Sequence, residues 1–181
     1  MASLVSRVAG AVQLRAATFE DVEHDRSATV QAALVVAASH LAQAVGTIKY
    51  GAYNGVALAV LAGLVGWVIG AGVLLLVGTK LFPEKDTEAD MGQMLRTLGF
   101  AQAAGLFGIL GLVPLLALPI FWACKIWILV AMVIAVRQAL DYDNTTRAIV
   151  VCIVAWLIML AVQLLVAFFG VGAAVVAGSP T

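Results

Sequence analysis

Residues 97–136 read TLGFAQAAGLFGILGLVPLLALPIFWACKIWILVAMVIAV, 40 positions with one charged side chain, Lys125. As one helix they would reach about 60 Å at 1.5 Å per residue, twice the ~30 Å of a bilayer's hydrocarbon core. Pro114 and Pro119 stand at the middle, where a helix is broken and a turn falls. The stretch therefore predicts two membrane spans joined by a tight turn. Working outward, apolar runs cover about 27–45 and 55–78 upstream and 148–178 downstream. We read five transmembrane helices, at about 28–46, 55–79, 97–115, 119–137 and 147–170, and hence an all-α integral membrane protein.

Composition agrees. Of 181 residues 64% are hydrophobic and 11% charged, with a mean hydropathy of +1.08; a soluble domain is nearer half apolar and a quarter charged. Ten Lys and Arg balance ten Asp and Glu, so no net field draws nucleic acid. Cys124 and Cys152 lie inside apolar runs and read as small hydrophobes.

Orientation follows from the basic residues. Arg7, Arg15 and Arg26 precede the first span, Lys80, Lys85 and Arg96 follow the second, and Arg137 and Arg147 follow the fourth. The other side has Lys49 alone. The expectation is a cytoplasmic N-terminus and an outer C-terminus. Residues 1–27 form a cytoplasmic amphipathic and acidic segment, and 28–181 the five-span domain. Leu4, Val5, Val8 and Val12 make one helical stripe, which predicts a helix on the inner leaflet with its arginines towards anionic headgroups. Thr18 with Asp21, and Thr87 with Asp90, have capping-box spacing. Met91, Met94, Leu95 and Leu98 predict a short interfacial helix running into the third span.

Candidate sites are few. Glu20, Asp21, Glu23 and Asp25 precede the first span, while Arg96 and Arg137 sit at the inner ends of the third and fourth. All would meet at one membrane face, and an electrostatic clasp of Glu23 or Asp25 with Arg96 or Arg137 is expected there, on the face best suited to a partner. Glu20 and His24 lie one helical turn apart, but no second cluster at ligand spacing joins them, so we read neither metal nor cofactor. Ala62, Gly66 and Gly70 in the second span, and Gly105, Gly108 and Gly111 in the third, form small-residue ridges suited to helix packing. The apolar runs contain no Asp or Glu, and Lys125 is the one intramembrane charge. His40, Gln102 and Lys125 are the residues a transport site would use. No nucleophile elbow or triad signature is present, so the chain is not read as an enzyme.

Several short motifs then fall in a familiar order: Phe19-Glu20-Asp21-Val22-Glu23-His24-Asp25 before the first span, Leu95-Arg96-Thr97-Leu98-Gly99-Phe100-Ala101 opening the third, then Pro114 and Trp127. Ala135-Val136-Arg137-Gln138-Ala139-Leu140 closes the fourth, and Thr145-Thr146-Arg147-Ala148 opens the fifth. In these the chain resembles the Yip domain family (Ypt/Rab-interacting proteins), closest to its bacterial branch. Ala104 stands where that family often has a Pro. The resemblance implies a five-span fold with a cytoplasmic N-terminal segment. Eukaryotic members look like organisers of endoplasmic reticulum and Golgi traffic that engage prenylated Rab GTPases and shape membranes. The Ala-, Gly- and Val-rich composition points to a bacterium, where no Rab exists, so the resemblance implies fold and topology rather than an activity.

The expected function is a non-enzymatic multi-pass protein that organises the membrane or partner proteins, such as an accessory subunit of a membrane complex. Its partners would be the lipid bilayer, other membrane proteins or further copies of itself. The alternative is a small transporter or channel acting as an oligomer.

Overall fold

The structure, a computed structural model, describes residues 2–48, 55–84 and 89–177, the last without the side chains of 166 and 169–177. Helices α1 (Leu4–Val12) and α2 (Ala16–His24) precede α3 (Ala28–Gly46) and α4 (Val56–Leu76). The latter ends in a π-helical turn, Val77–Leu81. Helix α5 (Met91–Ala101) runs on as a 3-10 helix, Gln102–Leu112. After a short 3-10 turn at Pro114–Leu116 come α6 (Ala117–Ala139) and α7 (Thr145–Ala177). Among the described residues there is no strand. Five segments are long and apolar enough to cross a membrane: Ala28–Gly46, Val56–Leu81, Met91–Leu112, Pro114–Ala139 and Thr145–Leu165. Their outward faces expose large apolar side chains such as Leu58, Leu61, Val65, Ile126, Leu129 and Trp156, a surface made for lipid rather than water. The chain is an all-α integral membrane protein.

The third span is the most enclosed, and its second half departs from α geometry. An 11-residue 3-10 helix is long for that form, which usually lasts three or four residues. Its sequence gives the reason. Gln102, Gly105, Gly108 and Gly111 recur every three positions, and at 3.0 residues per turn they stack in one line. That line lies on α3. A Cβ at Gly108 would stand 2.6 Å from Gln43 Cγ and 2.9 Å from its Cα, and one at Gly111 would stand 3.0 Å from the Gly46 carbonyl oxygen. Glycine is required because two backbones nearly touch. Ser39, fully buried, donates to the Gln102 carbonyl at 2.8 Å, where the hydrogen-bond pattern changes.

Several local expectations need correcting. The ridge Ala62, Gly66, Gly70 is not a packing seam within the chain: ideal Cβ atoms at Gly66 and Gly70 meet nothing within 4 Å. Helix α4 meets α3 through the intervening Gly63 instead, against the His40 ring. Thr18 lies inside α2, whose N-cap is Arg15 without a side-chain cap; Asp21 bonds Arg7 rather than closing a capping box. Thr87 and Lys49 lie outside the described residues. At the start of α5 the box is formed by Asp90 and Gln93, with reciprocal bonds of 2.8 and 2.6 Å. Helix α1 does not turn its arginine to headgroups either. Arg7 is 2% exposed and faces α2 and α3.

Helices α1 and α6 both end in a left-handed residue, Leu14 (φ 58°) and Asp141 (φ 51°). Each is followed by paired bonds back into the last turn, Leu14 N–H to Ala11 and Arg15 N–H to Gly10, then Asp141 N–H to Gln138 and Tyr142 N–H to Arg137. This is the Schellman ending, here without glycine. It reverses the chain at once, so α2 folds back on α1 and α7 on α6.

The glycine line gives a direct test. Gly108→Ala forces α3 and the 3-10 helix apart, and overpacking of this kind costs roughly 1–3 kcal/mol. Gly66→Ala fills open space. Thermal melting in detergent should show a clear loss for the first and almost none for the second.

Candidate functional site

Charge gathers at the end where α3, α5 and α7 begin and α4 and α6 finish. Helix ends carry carbonyls without intrahelical partners, and cations are favoured near C-termini. Three arginines here bond main-chain oxygens. Arg96, 6% exposed, reaches from α5 to the last turn of α2, its Nε donating to the Val22 and Glu23 carbonyls at 3.0 Å each and its Nη2 to the Glu23 carbonyl. Arg137 on α6 donates to the Tyr142 and Asp143 carbonyls at 3.1 Å and to Thr145 Oγ1 at 3.3 Å, fixing the turn into α7. Arg147 on α7 pairs with Glu84 at 3.1 Å and donates to the Pro83 carbonyl, tying α7 to the end of α4. The Tyr142 hydroxyl lies 3.0 and 2.8 Å from the Gly78 and Phe82 carbonyls, which the π-helical turn leaves open.

The carboxylates go elsewhere than expected. Asp21 and Asp25 pair with Arg7, at 2.8 Å to Nε and 2.7 Å to Nη2. The Nη1 of the same guanidinium donates to Gln31 Oε1 at 3.1 Å, so one side chain joins α1 to α2 and α3. The expected clasp is not formed: neither Glu23 nor Asp25 forms an ion pair with Arg96 or Arg137, and the carboxylate pairs of this end are made by Arg7 and Arg147. Spacing carried a signal for Arg7 that the apolar stripe obscured, since it lies three before Gly10 and four before Ala11, both buried. Gln93 and Tyr142 were missed because amides and phenols carry no charge pattern.

Glu23 is the anomaly. Its side chain is 2% exposed, and its carboxylate accepts from Gln93 Nε2 at 3.1 Å. Arg96 is spent on the Glu23 carbonyl. Burial pushes the carboxyl up to about 7, with the charge of Asp141 adding to the shift. Asp25 goes the other way, held down at about 2 by hydrogen bonds from Ser27 and Arg7. Glu20 and His24 face outward on α2, exposed; the His24 Nδ1 bonds the Glu20 carbonyl at 2.9 Å. Among the described residues no three His, Cys, Asp or Glu side chains gather as a metal site would need.

Deeper, the structure brings together two of the three residues named for a transport site. His40 and Gln102 line one cavity of about 360 Å³, walled by α3, α4, α6 and the third span. Lys125 is absent from its walls. It donates to Gln43 Oε1 at 3.3 Å and lies 5.6 Å from the centre of the Phe121 ring. A neighbouring cavity of about 210 Å³ shares His40 and Ala59 and extends to Gln43 and Thr47. Trp67 donates to the Leu95 carbonyl at 3.0 Å and pins α4 to α5 beside the larger cavity.

The raised Glu23 carboxyl has a measurable sign. Between its ordinary value of 4.5 and about 7 the folded chain keeps a proton that the unfolded chain has lost. Stability from this group is therefore greatest below pH 4.5 and falls as pH rises to about 7, by on the order of 1–3 kcal/mol. Glu23→Gln keeps the acceptor for Gln93 and removes the charge. Its melting temperature in detergent should exceed that of the unaltered chain at pH 8, and the difference should shrink towards pH 5.

Comparison with known proteins places this arrangement. Neither a curated protein nor a solved structure matches the chain. Residues 15–174 match the Yip1 domain. The match begins at the α1–α2 turn and takes in all five membrane spans, leaving Arg7 just before it. An integral membrane protein with this order of helices, matched over most of its length, belongs to the Yip1 domain family.

Proposed function

We propose that this protein is a non-enzymatic membrane organiser that works from its charged end, holding partner proteins in the bilayer, including as an accessory subunit of a membrane complex. The observation that carries this reading is how the charged end is built. Arg7, Arg96, Arg137 and Arg147 are all engaged in joining one helix end to another. The outer face of α2 is left free to meet a partner, with Glu20 and His24 exposed and Asp141 exposed nearby on the α6–α7 turn. A fixed acidic surface at a membrane face suits a basic juxtamembrane segment of a second protein. Localisation in a bacterial inner membrane with this end in the cytoplasm belongs to the same reading.

The alternative, a small transporter or channel acting as an oligomer, draws on the cavities around His40. Their walls are mostly apolar, and Lys125 is turned to Gln43. Solute flux into liposomes containing the purified protein, abolished by His40→Ala, would favour it.

Two experiments test the organiser. Co-purification in mild detergent should recover a stoichiometric partner with the unaltered chain, and Glu20→Lys with Asp141→Lys should reduce it at least tenfold while the melting temperature holds. Recovery unaffected by both charge reversals would refute the docking face. For orientation, a reporter active only in the cytoplasm should be silent when fused after Thr181 and active when inserted after Asp143.

A further inference from the structure

The cavity beside α4 sets two polar groups in an otherwise apolar wall. The His40 Nδ1 lies 2.9 Å from the Val36 carbonyl oxygen. A carbonyl only accepts, so Nδ1 carries the hydrogen and Nε2 of the neutral ring is left as an acceptor. Among the described residues neither His40 Nε2 nor the side-chain amide of Gln102 has a hydrogen-bond partner. Both residues lie on membrane spans and both line the same cavity. In hydrocarbon an unpaired amide costs several kcal/mol, so what fills this space supplies hydrogen bonds.

The rest of the wall sets the occupant's other properties. It includes Gly63, Gly66, Gly70, Leu74 and Met132. Water needs two to four polar partners per molecule and leaves apolar cavities dry, so water does not suit a volume of about 360 Å³ with two polar groups. The wall runs along α4 from Ala59 to Leu74, about 22 Å at 1.5 Å per residue. Gly70, Leu74 and Met132 are shared with a second groove of about 560 Å³ that continues past Leu129 to Trp156. Together the two make an elongated cleft along α4. It holds no cation, because Lys125 is not part of either wall, and an anionic headgroup would lie unpaired in hydrocarbon.

We infer that this cleft is a binding site for an uncharged single-chain lipid whose one hydroxyl group bonds His40 Nε2 and the Gln102 amide while its chain lies along α4. The hydroxyl donates to His40 Nε2 and accepts from one N–H of the Gln102 amide, so a single group bonds both side chains. Gly66 and Gly70 are the smooth part of the wall, and their missing side chains are the room the chain occupies. This site is independent of the charged end and of any partner held there.

The test uses hexadecanol bearing a photoreactive diazirine in its chain, with the protein in phosphatidylcholine nanodiscs. Labelling should be saturable and should map to α4 between Gly63 and Leu74. Unlabelled hexadecanol should displace the probe about tenfold better than hexadecane, as one good hydrogen bond of about 1.4 kcal/mol provides, and better than palmitate. Gly66→Leu puts a branched side chain into the cleft that Gly66 lines, from a Cβ position with nothing within 4 Å. It should abolish labelling while the melting temperature is kept. His40→Phe with Gln102→Leu should keep labelling but erase the preference for the alcohol. Unsaturable labelling, equal displacement by alkane and alcohol, or full labelling of a folded Gly66→Leu variant would each overturn the assignment.

Discussion

Hydrocarbon solvates an apolar helix as well as another helix does, so a bundle in a bilayer must be held by contacts that lipid cannot imitate. This protein uses two. One is the near-touch of backbones along Gly108, Gly111 and Gly46, with Gly105 close against the Ser39 and Gln43 side chains, where no lipid chain could pack as closely. The other is the set of guanidinium bonds at the charged end, where helix carbonyls would otherwise have only competing headgroups and water. The two act at different depths. The glycine line fixes α3 to the third span through the apolar layer, and the arginines fix where α2, α6 and α7 start and stop around them.

The five spans were readable from hydropathy because length and apolar content alone decide them. The first, at 28–46, has the bounds the sequence predicts, while the fourth begins five residues earlier, at Pro114, since the residues between the two prolines continue as helix. What failed was facing. A stripe read at 3.6 residues per turn turned Arg7 towards the headgroups, although the fold buries it between Asp21 and Asp25. Likewise Gly66 and Gly70 look like Gly105 and Gly108 in sequence, yet only the second pair packs. The difference is the spacing: three in the third span and four in the second. A spacing of three is collinear only if the helix tightens to 3-10 form, and that tightening depends on having α3 to lie against.

The candidate site was legible as a location more than as a set of bonds. Opposite charges at one membrane face had to meet, and they do. Which of them pair is decided by reach. A guanidinium offers five donors in a fixed fork, so Arg96 and Arg137 are more fully satisfied by neighbouring carbonyls at helix ends than by one carboxylate. That leaves Asp21 and Asp25 to Arg7, and leaves Glu23 buried without a cation of its own.

Helix α4 shows what these constraints leave over. It is pinned by Gly63 against His40, by Trp67 to the Leu95 carbonyl, and by the Gly78 carbonyl to Tyr142. Between the last two contacts lies Gly70, with Gly66 just before Trp67, and neither has anything within 4 Å of its Cβ position. A helix held at intervals need not be packed between them, and the open interval is where the cleft lies. An alanine at Gly66 or Gly70 would put its Cβ in open space. The fold therefore does not demand glycine at these two positions as it does at Gly108, and the space they leave is available to the lipid side of the bundle.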